Sequence, residues 1–374
     1  MRVVLVPDLE LEGWKSMELY ARQLERWLPR LAPDWAFEVV RLPMPRWGRA
    51  RPLRFAARYV LLPRRVARAR LGKPMALHHI LDHSYAHVLR WLDPRRTIIT
   101  VHDLYPYHLV SAGGTGARVR LRNAVLQWVL ASLREAAHVI ADSEFTKREM
   151  VRGLGYPQER ITVVPLGGDH IGAPSGGEEA VRRTVRQLDL PPGARFILHV
   201  GSCDERKNIW TALRAFSRLR ELTGEDLYFV QVGGRFARAH WRAVHRWGIA
   251  RYVRQRADLS WEQLASVYRA AALLLFPSTY EGFGLPVLEA MRMGTPVVAL
   301  AAGAVPEVLG DAGVLVPENE AEAFATAAAR VLDDEMLRDT LVTRARERAQ
   351  AFTWEETARR VLAVYRVVAS SDSQ

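Results

Sequence analysis

The chain has 374 residues, enough for two domains with substantial cores, and its 49% apolar and 25% charged residues are ordinary for a soluble globular protein. No stretch approaches eighteen unbroken apolar residues, so a transmembrane span is not expected; the single cysteine, Cys203, excludes an internal disulfide framework and fits a reducing compartment. The net charge of +12 is unevenly spread: residues 1–170 hold 27 Lys and Arg against 16 Asp and Glu, and the remainder 26 against 25.

Met1 to Pro7 carries an apolar run too short for a signal peptide and reads as a first strand. A loop, Glu12-Gly13-Trp14-Lys15-Ser16, leads into a helical stretch, Met17–Leu28, and a second strand, Phe37–Leu42. Arg41 through Lys73 then contains 11 basic residues and no acid, interleaved with Trp47, Leu53, Phe55, Tyr59, Val60, Leu61 and Leu62. A charge run is usually a solvated face. Mixed with rings and aliphatics it also suits an anionic membrane surface, where Arg meets head groups and the apolar groups settle at the acyl boundary. Nucleic acid would use the same charge, but no nucleic-acid fold signature accompanies it and none is expected as a partner.

Strands follow at Met75–Leu81, Thr97–Val101, Val139–Ala141 and Ile161–Val164. Between them a helix is predicted over Val119–Ala137, and another from the N-cap Ser143 to about Leu154, stopped by Gly155. His78, His79, His83 and His87 invite a metal reading, because 79, 83 and 87 share one helical face. His78 and His79 end a strand, however, and only Asp82 adds a further ligand, so no metal site is expected.

Residues 167–177 hold five glycines with a Pro and a Ser and read as a linker, dividing the chain into 1–170 and 171–354. A second series of strands follows at Phe196–Val200, Tyr228–Val232, Leu273–Phe276, Pro296–Ala299 and Val314–Val316, and Trp354–Val368 is an amphipathic helix. Strands alternating with helices argue for an α/β protein with parallel sheets covered on both faces. Ligands of such sheets sit outside the carboxyl ends of the strands. His102 and Gly201 to Asn208 each follow a strand, so the active site is expected in a cleft between the two sheets.

The most informative stretch is 276–291, Phe-Pro-Ser-Thr-Tyr-Glu-Gly-Phe-Gly-Leu-Pro-Val-Leu-Glu-Ala-Met. A buried strand ends there, a tight loop follows, and Pro286 stands where the first turn of a helix tolerates it. Loop amides and the positive end of the helix dipole together make a seat for phosphate. Glu281 and Glu289 bracket that seat with seven residues between, so two parts of one ligand would each meet an acceptor. A diphosphate with hydroxyl-rich groups at both ends fits: a nucleotide sugar. Arg206 and Lys207 at a helix start are mildly unfavourable unless an anion meets them. Gly233-Gly234 after a strand reads as a place where a nucleotide base approaches the backbone.

These residues resemble the E-x7-E signature of the retaining glycosyltransferases of family four, which have the two-domain GT-B fold. Val200-Gly201-Ser202-Cys203-Asp204-Glu205-Arg206-Lys207-Asn208 is similar to the family's loop carrying an Arg-Lys pair for the donor diphosphate, and Val101-His102-Asp103-Leu104 to its N-domain histidine motif. Pro306-Glu307-Val308 with Gly310-Asp311-Ala312-Gly313, and Phe352-Thr353-Trp354 before a last helix, extend the likeness. The first loop departs from the family's glycine pair. The resemblance implies two Rossmann-like domains, with 355–374 packing back on the first. It places donor binding at Gly201, Ser202, Arg206, Lys207, Gly233, Glu281, Gly282, Phe283, Gly284, Leu285 and Glu289, with Glu281 on sugar hydroxyls and Glu289 on ribose hydroxyls. Gly13, Trp14, Lys15, Ser16, His83, His102 and Asp103 would face the acceptor, His102 as a neutral imidazole.

The expected activity is metal-independent, retaining transfer of a sugar, with mannose as the candidate, to a lipid-linked glycan or glycolipid acceptor of envelope polysaccharide synthesis. No cofactor is expected beyond the nucleotide-sugar co-substrate, and the expected location is cytoplasmic, peripheral on the inner face of the cell membrane. Two rivals remain. A nucleotide-sugar epimerase of the same fold would convert sugar without an acceptor. A polyanion-binding protein on a degenerate scaffold would bind in a salt-sensitive way without turnover.

Overall fold

In the computed structural model the described residues are 1–42, 51–70, 75–105, 107–108 and 116–371. They form two compact units, the first comprising residues up to Leu166 together with the C-terminal helix Trp354–Ser371, the second Gly167–Thr353.

The first unit is a six-stranded parallel sheet of β1 (Arg2–Val6), β2 (Ala36–Val39), β3 (Leu77–Ile80), β4 (Thr97–Val101), β5 (His138–Ala141) and β6 (Ile161–Val163), in the order β2-β1-β3-β4-β5-β6. Apolar runs without alternation mark strands covered on both faces, and β1, β3, β4 and β5 are accordingly buried almost throughout. The order reverses between β1 and β3, which puts the crevice of this sheet at their carboxyl ends.

The second unit is a parallel sheet of β7 (Phe196–Gly201), β8 (Tyr228–Gly233), β9 (Val253–Arg256), β10 (Leu273–Phe276), β11 (Val297–Leu300) and β12 (Val314–Val316), in the order β12-β11-β10-β7-β8-β9. Here the reversal lies between β7 and β10, whose register sets Leu273 beside Ile197. Strand β9, Val-Arg-Gln-Arg, has no apolar run and is not legible as a strand in the sequence. It is an edge strand, where one-sided pairing tolerates charge.

The final helix belongs with the first unit. Trp354 is 1% exposed, with its ring 6.2 Å from that of Tyr20, Tyr365 Oη lies 2.7 Å from His79 Nδ1, and the Thr357 hydroxyl donates to the Pro165 carbonyl at 2.8 Å.

Two expectations need correction. Lys15 and Ser16 are not loop: they open the helix Lys15–Leu31, and only Gly13, with φ +71°, turns the chain before it. The glycine-rich stretch from 167 is not a loose tether. Gly168 sits so close to the helix Leu285–Met293 that a Cβ there would lie 2.7 Å from Leu288, and Ile171 is buried. Within the basic stretch Arg41–Lys73 the chain is helical over Arg51–Ala56, a π turn Ala57–Leu61 and Leu62–Arg70, while residues 43–50 and 71–74, with Trp47 and Lys73, lie outside the described residues. No helix among the described residues is long and apolar enough to cross a membrane.

Candidate active site

The reversal point of the second sheet brings together the two loops that the sequence singled out. After β7 the chain makes a turn over Glu205–Lys207, then passes through Asn208, whose φ of 51° is one of the few left-handed non-glycine conformations. After β10 comes Pro277 to Gly284. The two loops are laced together: Thr279 N–H donates to the Arg206 carbonyl at 2.8 Å, Ser278 Oγ lies 3.0 Å from that carbonyl, and the Asn208 amide donates to the Pro277 carbonyl at 3.2 Å.

Lys207 and Glu281 meet at the centre. Lys207 Nζ donates to Glu281 Oε1 at 2.5 Å, the Ser278 hydroxyl donates to the same oxygen at 2.6 Å, and Arg206 Nη1 lies 3.5 Å from Oε2. Both paired side chains are nearly out of solvent. Burial alone would raise the Glu281 carboxyl, but Lys207 and then Arg206 outweigh it and hold it below the usual carboxylate range. Arg206 keeps 22% of its side chain exposed and donates to the Tyr280 carbonyl at 3.3 Å.

Backbone crowding fixes this geometry. Gly303, with φ +60°, lies against the Glu281 backbone, so that a Cβ would come within 2.6 Å of its carbonyl oxygen, and Ala304 N–H donates to that carbonyl at 2.9 Å. Gly303 is a site residue that the sequence reading missed; its signal was a glycine in Ala-Ala-Gly-Ala directly after a core strand. Gly233 and Gly234 also have a packing role, because the space a Cβ would need is taken by the neighbouring loop. A Cβ on Gly233 would lie 2.8 Å from the Gly201 oxygen and one on Gly234 2.4 Å from the Cys203 nitrogen. Gln231, wholly buried, donates to the Gly201 carbonyl at 2.8 Å and accepts from Gln255 at 3.0 Å. Ser202 donates to Asp204 at 2.7 Å. Burial, then Asp204, push the Cys203 thiol up to about 11, so it stays protonated and unreactive.

Gly284, in the left-handed region at φ +105°, starts the helix Leu285–Met293, and Pro286 stands in its first turn. Gly282 and Phe283 are buried beside Glu281, and Phe283 packs edge-on against Phe352 with centroids 6.0 Å apart. Glu289, on the second turn, is 4% exposed; His170 Nε2 lies 3.0 Å from its Oε1, and the Tyr268 hydroxyl donates to its Oε2 at 2.8 Å. Neither partner was read from the sequence. His170 lies in the glycine-rich stretch read as a linker, and Tyr268 in the helix Trp261–Ala270, a stretch to which the sequence reading gave no role.

The first sheet gathers a second polar cluster, at the ends of β1, β3, β4 and β5: Asp8, Asp82, His83, His102 and Asp142. His102 Nδ1 is 2.6 Å from Asp142 Oδ2, and its Nε2 donates to the Leu81 carbonyl at 2.9 Å. A carbonyl only accepts, so Nε2 carries a proton, and the short Nδ1–Oδ2 contact needs a second one. Burial opposes charge on the ring, but Asp142 and then Asp82 raise His102 to about 9. The imidazole is therefore charged near neutral pH, not neutral as expected. The pairing was available in principle: β4 and β5 run in register with Val101 beside Ala141, and each of the two groups is the next residue.

Burial and then Asp82 also raise the half-buried Asp8 to about 7. His83 Nδ1 lies 3.6 Å from Asp82, and Asp103 Oδ1 accepts Tyr105 N–H at 3.0 Å, which closes a turn. Trp14 is 38% exposed, with the Arg58 guanidinium 5.8 Å from its ring centroid; Gly13, Lys15 and Ser16 are exposed beside it. His79, deep in β3, bonds Tyr365 and Thr100, and burial lowers it to about 3. Among the described residues no three His, Cys, Asp or Glu side chains converge as a metal set.

Two family models together span most of the chain. Residues 15–170 match Glycosyltransferase Family 4, and residues 181–348 match Glycosyl transferases group 1. The chain is 29% identical over 327 residues to the O-antigen chain mannosyltransferase B of Escherichia coli, covering 86% of this chain and 82% of that one. It is 32% identical over 239 residues to a D-inositol 3-phosphate glycosyltransferase of Corynebacterium kroppenstedtii, of which it spans 53%. Sucrose-phosphate synthase from Thermosynechococcus elongatus superposes over 99% of this chain and all of its own with a TM-score of 0.76 at 24% identity. The Anabaena protein HepE, in complex with UDP and glucose, does so over 100% of this chain and 99% of its own with a TM-score of 0.71 at 18% identity. At such identities the structural likeness is one of fold.

Proposed function

Since the chain belongs to the family-four glycosyltransferases and has their GT-B fold, we propose that it moves a hexose from a nucleoside-diphosphate donor to an acceptor hydroxyl with retention of configuration. The observation that carries the reading is the buried Lys207–Glu281 pair, held at the sheet reversal beside the N-terminus of the helix Leu285–Met293. Lys207 has three N–H donors and commits one to Glu281, so the remainder serve a phosphate oxygen, with Arg206 beside it. As the bond from the anomeric carbon to the diphosphate breaks, charge grows on the leaving oxygen, and fixed cations and helix-start amides stabilise it without needing to reorganise. The acceptor oxygen then bonds to the same face of the sugar, and its proton passes to the departing phosphate oxygen. Glu281 serves a second purpose, its carboxylate accepting from sugar hydroxyls.

In this reading no cofactor or metal is needed beyond the nucleotide-sugar co-substrate. The mannosyltransferase similarity supports mannose as the sugar and an envelope glycan or glycolipid as the acceptor. The test is thermal unfolding with UDP, GDP, ADP and their common sugars, with and without EDTA. One nucleotide is expected to raise the melting temperature by several degrees, EDTA leaving the shift intact. Absence of any shift would remove the reading, and a shift abolished by EDTA would remove its metal-free part.

The acceptor side favours a cytoplasmic enzyme at an anionic membrane. On the helix over residues 51–70, Ala57, Leu62 and Val66 enter the core, while Phe55 at 57% and Leu61 at 43% are exposed with Arg64, Arg65 and Arg68. Exposed apolar and basic side chains along this helical stretch match lipid acyl and head-group chemistry. Sedimentation with phosphatidylglycerol vesicles is expected to capture the wild type and to fall at least about threefold when Arg64, Arg65 and Arg68 become Ala. Equal capture of both would reject this surface.

A further inference from the structure

We propose that His170 and Tyr268 are positioning residues that hold Glu289 for the ribose hydroxyls of the donor, so that this trio sets the preference for ribonucleotides over deoxyribonucleotides. The inference rests on the reading of Glu289 as the ribose carboxylate, and adds to it the two side chains that aim it.

Each Glu289 oxygen is engaged on its protein side, Oε1 by His170 at 3.0 Å and Oε2 by Tyr268 at 2.8 Å. A carboxylate has about four acceptor positions, so two stay available for a vicinal diol. The orientation is over-determined. His170 keeps only 2% of its side chain in solvent, and Trp261 meets it edge-on at 4.7 Å between centroids. Trp261 and Tyr268 lie seven residues apart on the helix Trp261–Ala270, hence on one face. Two residues before His170, Gly168 packs against Leu288 and Arg292 of the helix that carries Glu289. Rotating the carboxylate would strip a buried acceptor of a donor on each side, which is strongly unfavourable. Both hydroxyls of a ribose can then be accepted at once, and a deoxyribose leaves one lone pair of a buried charge unmet, the situation in which polar sites discriminate well.

Calorimetric titration of the full chain with UDP, GDP and ADP and their 2′-deoxy counterparts tests this. The wild type is expected to favour the ribo form of its preferred nucleotide by about tenfold to a hundredfold. In Tyr268→Phe and in His170→Ala the ribo affinity is expected to fall about tenfold while the deoxy affinity stays, so the ratio collapses toward one. His170→Gln, which restores an N–H donor, is expected to recover part of it. Tyr268→Phe removes a single oxygen and guards against a folding failure in the histidine variant. If Glu289→Gln collapses the ratio and the two partner variants keep it, the ribose reading stands and this inference is wrong. If Glu289→Gln keeps the ratio, or none of the three nucleotides binds, both fall together.

Discussion

Lys207→Ala is expected to lower sugar transfer by at least about a hundredfold and to cost about 3 kcal/mol of stability, two losses with separable causes. The stability loss follows from burial. Glu281 is 6% exposed, and removing one member of a buried ion pair strands the other, at about 3–5 kcal/mol. Arg206, 3.5 Å from the free oxygen, and the Ser278 hydroxyl keep the cost at the low end. The catalytic loss follows from the missing charge at the leaving group, where one preorganised donor contributes about a hundredfold to a thousandfold. The double variant Lys207→Met with Glu281→Leu separates them. Well-packed apolar replacements of a buried pair are often neutral, so its urea midpoint should return toward the wild type while turnover stays lost. Recovery of turnover in the double variant would make the pair purely structural.

Stability is expected to fall as pH rises from about 6.5 to about 9, and Asp142→Asn is expected to erase most of that slope. His102 goes from its ordinary 6.5 to about 9 on folding. A base whose folded value is raised contributes stability that is complete below the unfolded value and lost as pH rises through the folded one. The difference corresponds to about 3 kcal/mol. The pair Asp142 carries the largest favourable charge at the ring, so in Asp142→Asn burial dominates and the imidazole sheds its proton. Melting temperatures of the two proteins should therefore differ most near pH 6 and converge toward pH 9.5. A constant gap across that range would overturn the charged pair. Glu281 works in the opposite sense: its depressed carboxyl contributes stability above the usual carboxylate range, lost as pH falls through the folded value.

Much of the architecture was legible because the relevant physics is local. Strands β4, β10 and β12 stand at the expected residues, since unbroken apolar runs admit few alternatives to buried parallel strands. The helix from Glu144 to Leu154 was equally plain, with the Ser143 hydroxyl accepting Thr146 N–H at 3.1 Å and Gly155 closing it at φ +59°. The spacing of Glu281 and Glu289 and the pair Arg206-Lys207 could be read as phosphate and hydroxyl chemistry for the same reason: each motif is contiguous.

Tertiary structure decided the partnerships. Lys207 and Glu281 are 74 residues apart and meet only because the sheet order reverses between β7 and β10. His170 is 119 residues from Glu289, and His102 is 40 from Asp142. Charge state followed from those partners, which is why a histidine expected neutral carries a proton. Gly233 and Gly303 drew their meaning from the backbone packed against them, and a glycine announces freedom without saying what will occupy the space. The sequence by itself determined which groups the chain brings to the chemistry; only the fold determined which of them touch, because strand order and register are set by long-range packing that no local pattern encodes.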